Sequence, residues 1–164
     1  MPNYSENQAI GRVASLHIHP PNPGETMLSV NSITIETNAG IVGNTRYWQR
    51  QSRFTGKPTN RQISLIEREQ IEEHANALGL PCIEAGLVRS NIETKGIDLV
   101  TLLNRKIRVG EATLYIAATR DPCHKMDKIT PGLRERMMDN KQGVLARIVL
   151  SGGIRIGDTI QSID

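Results

Sequence analysis

The stretch Lys106-Ile-Arg-Val-Gly-Glu-Ala-Thr-Leu-Tyr-Ile-Ala-Ala-Thr-Arg120 alternates apolar and polar side chains on both sides of a Gly-Glu pair. Alternation with a period of two is typical of half-buried strands, and a two-residue connection containing glycine is typical of a β-hairpin. The stretch therefore predicts two antiparallel strands over residues 106–109 and 112–119. Asp121-Pro122-Cys123-His124 follows directly, so a thiol lies where a strand leaves its sheet for a loop. Binding and catalytic residues are common at such positions.

Short apolar segments recur on both sides of this hairpin, separated by turn-forming residues. Helical spacing predicts one helix over residues 67–78, and Thr130-Pro131 predicts the start of a second helix that ends near Gly143. Residues 43–60 are polar, lack a period and are expected to form a long loop. Many short strands with two inserted helices indicate a mainly β (α+β) domain, a largely antiparallel β-barrel or a sandwich. The further predicted strands cover residues 13–19, 28–35, 61–66, 87–92, 144–150 and 154–163, and residues 97–103 form a short apolar segment.

Length and composition narrow the classes of protein that this chain can be. A chain of 164 residues fits a single domain, 1–164, that buries its own core. The net charge of +3 arises from basic residues scattered among acidic ones, which does not predict binding to a nucleic-acid polymer. No apolar stretch approaches membrane-spanning length, and the first residues do not resemble a secretory signal. We expect a cytoplasmic protein that does not bind membranes and whose two cysteines stay reduced.

Cys123 is the leading functional candidate, with a buried structural thiol as the alternative. The basic residues Arg120, His124 and Lys125 favour a thiolate, which can bind a soft metal, carry sulfur or attack an electrophile. His124 is a poor base for its own neighbour, because adjacent residues of an extended chain point to opposite sides. Cys82 lacks nearby positive charge and is predicted to be buried.

The histidines and arginines give weaker signals. His17 and His19 share one face of a predicted strand, but without a third ligand they do not predict a zinc site. His74 is expected to be solvated on its helix. Arginine is suited to contacting phosphate groups through two nitrogens, so several converging arginines would favour a small anionic ligand. The arginines considered are Arg61, Arg89, Arg120 and Arg147.

Seven short fragments in a fixed order resemble the MOSC domain, the module named for the C-terminal part of molybdenum-cofactor sulfurase. The resemblance covers about residues 13–163. The fragments are Gly40-Ile-Val-Gly-Asn44, Arg61-Gln-Ile-Ser-Leu65, Asn91-Ile92 with Gly96-Ile-Asp-Leu99, Ile107-Arg-Val-Gly-Glu-Ala-Thr-Leu114, Pro122-Cys123, Gly143-Val-Leu-Ala-Arg-Ile-Val149 and Gly152-Gly-Ile-Arg-Ile-Gly-Asp158.

The resemblance implies a MOSC-type β-barrel with two or three inserted helices and a role in molybdenum-cofactor (molybdopterin) chemistry. Cys123 matches the family's signature cysteine. In relatives like the mitochondrial amidoxime-reducing component this cysteine ligates molybdenum, and N-hydroxylated compounds are reduced. In sulfurase relatives it is proposed to carry sulfur from a pyridoxal-phosphate-dependent cysteine desulfurase. The resemblance therefore implies Cys123 as catalytic residue and metal ligand, and as partner either a separate electron-donor reductase or such a desulfurase.

Further positions carry over from the family to the pterin and phosphate end of the cofactor. Arg61, Asn91 and Arg147 match family positions, and Arg120 is added because it precedes the cysteine loop. The chain departs from the family at two places. Asn44 and Ser90 stand where relatives often have an aspartate and a glutamate, so each replacement removes a carboxylate.

Overall fold

Eleven strands and two α-helices make up the part of the chain that the computed structural model describes, residues 10–163. The helices are α1 (Arg68–Ala77) and α2 (Leu133–Arg136). The strands are β1 (Ile10–Ile18), β2 (Leu28–Val30), β3 (Ser32–Glu36), β4 (Gly40–Ile41), β5 (Ile63–Glu67), β6 (Ile92–Lys95), β7 (Lys106–Val109), β8 (Ala112–Thr119), β9 (Val144–Leu150), β10 (Gly152–Arg155) and β11 (Thr159–Ser162).

Seven of these strands close into a barrel. The order around it is β1, β11, β7, β8, β9, β5 and β6, and β6 pairs with β1 again. All neighbours are antiparallel except β5 and β6, which run parallel. Strand β2 pairs with β1, and β10, β3 and β4 form a separate three-stranded sheet. Closure leaves the barrel strands without free edges. The predicted largely antiparallel barrel is confirmed.

Aliphatic side chains fill the barrel, because the strands alternate inward apolar residues with outward polar ones. In β7 the two apolar residues are buried and the two basic ones are exposed. The main core includes Leu16, Leu65, Leu114 and Ile148, each with no exposed surface. A second buried cluster, which includes Ile66, Ile71, Leu133 and Met137, lies where α1 and α2 cover the outside of the barrel.

Several sequence-based boundaries differ from the structure. The predicted closing strand over residues 154–163 is two strands, β10 and β11, because Gly157 has φ +90° and turns the chain between them. The second helix does not begin at Thr130. Residues His124–Lys128 form a 3-10 helix, and α2 has only four residues. The residues 87–91 lie in turns before β6, and residues 97–103 contain only a 3-10 helix over Val100–Leu102.

Two predictions about burial are wrong. Cys82 is exposed, because it lies in the irregular segment after α1 and not in an element that packs on the core. His74 is fully buried instead of solvated, and its Nε2 lies 3.0 Å from the backbone oxygen of Lys141. Burial lowers the pKa of His74, so the imidazole is held neutral.

Candidate functional site

The barrel topology brings three chain segments together at one place. Parallel pairing of β5 with β6 puts the residues that precede both strands side by side. Strand β1 runs antiparallel to β6, so the residues after β1 reach the same place. A cleft forms there, and its lining residues are His19, Tyr47, Arg61, Gln62, Ile63, Ser64, Arg89, Asn91 and Arg120.

Three guanidinium groups converge on this arginine cleft. Arg61 precedes β5, Arg89 precedes β6 and Arg120 follows β8. Arg120 donates from Nη1 to the backbone oxygen of Arg89 at 3.1 Å and to the hydroxyl of Ser90 at 3.1 Å. Burial, followed by the charge of Arg61, lowers the pKa of Arg120 to about 10. Guanidinium groups stay charged in proteins, so three cations line the cleft, and no carboxylate is among the described residues that line it.

Cys123 lies next to these arginines. Its thiol is exposed, and the residue immediately precedes the 3-10 helix His124–Lys128. Burial lowers the pKa of both Arg89 and Arg120, and negative charge on Cys123 partly opposes this shift, which requires the sulfur to be close to the two guanidiniums. Cys123 therefore lies near Arg89 and Arg120, while Arg61, Asn91 and Arg120 line the cleft together.

Asn91 holds the floor of the cleft in place. Its side chain is buried, and Oδ1 accepts hydrogen bonds from the backbone N–H and the hydroxyl of Ser64 at 3.0 and 3.1 Å. Its Nδ2 donates to the backbone oxygen of His17 at 3.1 Å. The amide therefore joins β1, β5 and the turn before β6. Asn91 is a positioning residue for the arginines around it, and its carried-over role as a cofactor ligand stays a prediction.

Arg147 does not line the cleft. It extends from β9 over the ring of Tyr115, at 5.0 Å from the ring centre, and donates to the side-chain oxygen of Asn60 at 3.2 Å. A predicted role for Arg147 at the cofactor is neither supported nor tested by this position.

The two β1 histidines have different surroundings. His17 contacts the hydroxyls of Ser15 and Ser29 and lies 3.7 Å from buried Glu93, whereas His19 lies beyond the strand end in the cleft. Over residues 10–163, no group of three histidine, cysteine or acidic side chains could hold a metal ion. Within the same residues, no helix is long and apolar enough to cross a membrane.

Sequence reasoning missed the side of the cleft formed by residues 44–47. The Tyr47 ring contacts His19 edge-on at 5.5 Å and lies below the Arg61 guanidinium at 5.0 Å. Asn44 is buried and accepts hydrogen bonds from His19. The absence of acidic residues between Val42 and Ile66 was the available signal, since it marks this segment as uniformly basic.

A larger groove of about 450 Å³ lies elsewhere, between the three-stranded sheet and strands β7 and β11. Arg108, Arg155, Glu111 and Asp158 line it, so its charges are mixed. It contains no thiol and no histidine. The smaller arginine cleft is the better candidate site, because it combines cations of one sign with an adjacent nucleophilic sulfur.

The sequence profile of the MOSC domain matches residues 43–161, more than half of the chain. The chain belongs to the MOSC family. Solved structures resemble this MOSC protein over nearly its whole length. The YuaD protein from Bacillus subtilis superposes with a TM-score of 0.78 at 18% identity, covering 96% of this chain and 98% of YuaD. YiiM from Geobacillus stearothermophilus gives 0.72 at 16% identity, covering 94% and 75%.

YiiM from Escherichia coli is more distant, with a TM-score of 0.63 at 14% identity and coverage of 96% and 69%. A comparison with curated proteins finds no match. These three structural likenesses lie below 25% identity and show the fold.

Proposed function

We propose that this MOSC protein binds molybdenum cofactor in the arginine cleft and reduces N-hydroxylated compounds, with Cys123 as the protein's ligand to the metal. The observation that carries the proposal is the position of an exposed thiol beside Arg89 and Arg120. When bound, the molybdenum centre supplies the two electrons that reduce an N–O bond.

The donor set fits such a cofactor. A soft thiolate suits molybdenum, and Cys123 offers an exposed thiol beside the cleft. The other end of the cofactor carries a phosphate, and guanidinium groups bind phosphate by charge-assisted hydrogen bonds. The arginine cleft would supply the contacts to the phosphate, and the adjacent Cys123 thiol would supply the contact to the metal.

Each residue has a separate task in this proposal. Arg61 and Arg89 neutralise the phosphate, and Arg120 also fixes the turn before β6 through Ser90. Arg89 and Arg120 lie beside Cys123 and would balance the negative charge of a metal-bound sulfur. Asn91 keeps β5 and β6 in register at the floor of the cleft.

The first experiment measures molybdenum and pterin in protein purified from a cofactor-producing host. Wild type should retain both in equal amounts, whereas Cys123→Ser should lose the metal. Cys82→Ser is the matched control, because Cys82 is also an exposed thiol and lies in the irregular segment after α1. Equal metal in wild type and Cys123→Ser would contradict the proposed ligand.

The arginines are tested in the same assay. Arg120→Ala should lower pterin content by tenfold or more, since one charge-assisted phosphate contact contributes about 1.5–3 kcal/mol. Arg108→Ala is the control, because Arg108 is exposed on β7 and lines a different groove. Arg147→Ala tests whether Arg147, the remaining position that matches the family, contributes to pterin binding.

A second candidate function is sulfur transfer, in which Cys123 carries a persulfide received from a pyridoxal-phosphate-dependent cysteine desulfurase. The exposure of the thiol favours it, because a donor protein must reach the sulfur directly. Incubation with a desulfurase and cysteine should then add the mass of one sulfur atom to Cys123 and not to Cys82. Absence of that mass on a protein that also lacks molybdenum would contradict both functions.

A further inference from the structure

The ring of His19 is held in one tautomer by Asn44. The backbone N–H of His19 donates to Asn44 Oδ1 at 2.6 Å, so the accepting atom is an oxygen and not the amide nitrogen. The same Oδ1 lies 3.0 Å from His19 Nδ1, which must therefore carry a hydrogen and donate. The other ring nitrogen, Nε2, is left with a free lone pair in the neutral imidazole.

None of the side chains that the structure describes in residues 10–44 and 46–163 forms a hydrogen bond with Nε2 of His19, and the His19 side chain lines the arginine cleft. The groups around the ring are cations or neutral. The segment 44–47 contributes Asn44, Arg46 and the edge of Tyr47, and the other segments contribute Arg61, Arg89 and Arg120. Cys123 faces the last two of these arginines.

We propose that His19 is a ligand-contacting residue of the cleft, and that an oxyanion binds there together with one proton held by His19 Nε2. The ligand class is an oxyanion such as the phosphate end of a cofactor or substrate, and its binding is coupled to uptake of a proton by His19. The inference rests on the proposed function only in assuming that the arginine cleft binds an anion.

Electrostatics gives the reason for the shared proton. Burial lowers the pKa of His19 to about 4; the hydrogen bond with Asn44 opposes the shift, and the charges of Arg46, Arg89 and Arg120 add to it. An anion between the same arginines offsets their charge and attracts an imidazolium, so the pKa of His19 must rise when it binds. Linkage then requires that the anion binds more tightly as the pH falls.

Sulfate is the probe, because it does not take up a proton near neutral pH. Binding is measured by calorimetry on the Cys123→Ser protein without cofactor, at constant ionic strength, so the thiol does not titrate. If the bound-state pKa of His19 reaches 6.5, its ordinary value, the affinity should rise by about 30-fold from pH 8 to pH 5. In His19→Gln, which retains a polar side chain that cannot titrate here, this rise should disappear. A flat profile, an equal rise in His19→Gln or no saturable binding at pH 5 would overturn the proposal.

A second measurement does not depend on a folded His19 variant. The NMR titration of the His19 ring should have its midpoint near 4 and move upward with saturating sulfate. Asn44→Asp should raise the midpoint without sulfate, because a carboxylate beside Nδ1–H stabilises the imidazolium. A midpoint that sulfate does not move would contradict the inference. Neither experiment uses molybdenum or pterin, so failure of the proposed function leaves these results interpretable by themselves.

Discussion

Asn91→Ala should strongly destabilise the protein, because three polar groups lose their partner in the interior. The Asn91 side chain is 3% exposed and makes its hydrogen bonds with Ser64 N–H, the Ser64 hydroxyl and the His17 carbonyl. Each unsatisfied buried group costs about 1–3 kcal/mol. The hydroxyl can rotate and the adjacent cleft can admit water, so we expect a loss of about 2–4 kcal/mol in the free energy of unfolding.

Urea and thermal unfolding measure this loss. For a domain of this size, a change of about 3 kcal/mol corresponds to a fall of roughly 6–12 °C in Tm. Asn60→Ala is the control, since Asn60 is exposed and its hydrogen bond with Arg147 is at the surface. It should change stability by less than about 0.5 kcal/mol. A loss below about 1 kcal/mol for Asn91→Ala would refute the positioning role and favour direct contact of Asn91 with a ligand.

Three further predictions concern stability. Burial, followed by the charges of Asp98 and Glu69, raises the pKa of Glu67 to about 7, so the stability that Glu67 contributes is lost as the pH rises from 4.5 through 7. In urea unfolding, Glu67→Gln should therefore be as stable as wild type at pH 4. At pH 8 it should be more stable by about 1 kcal/mol, after allowance for partial solvent exposure. The lowered pKa of His74 predicts stability that is present above pH 6.5 and lost below it, and His74→Gln should flatten that acid limb. Gly143→Ala should lower the free energy of unfolding by more than about 2 kcal/mol in the same assay, because φ is +83° and a Cβ would overlap the Leu65 carbonyl oxygen. Gly24→Ala is the control and should lower it by about 1 kcal/mol, since Gly24 has a similar φ of +87° but lies in open space.

The regular parts of the fold could be predicted from the sequence where a local pattern decides the structure. Strand β9 spans residues 144–150 as predicted, and the hairpin of β7 and β8 has its predicted ends. In both cases the alternation of side chains matches burial on one face. The predicted start of the second helix was wrong. Thr130-Pro131 is locally typical of a helix start, but Leu133 and Met137 pack in the second buried cluster, and the helix begins at Leu133.

The candidate site was predictable only in part, for a similar reason. Cys123 and the arginines stand out as residue types, but their meeting depends on parallel pairing of β5 with β6 and on the end of β1, which are contacts between residues far apart in the chain. His19 could not be separated from His17 by spacing alone. Their difference arises because β1 ends at Ile18, after which the chain turns His19 toward Asn44.

Asn44 and Ser90, which stand where relatives often have carboxylates, both affect the charge of the arginine cleft. Ser90 accepts a hydrogen bond from Arg120, and a glutamate there would pair with that guanidinium and neutralise it. Asn44 accepts from His19, and an aspartate there would favour the imidazolium before any ligand binds. With neutral residues at both positions, the cleft keeps its full positive charge and a neutral histidine. Its anion therefore has to supply the compensating charge, and we expect Ser90→Glu to weaken sulfate binding at every pH while Asn44→Asp shifts its pH dependence upward.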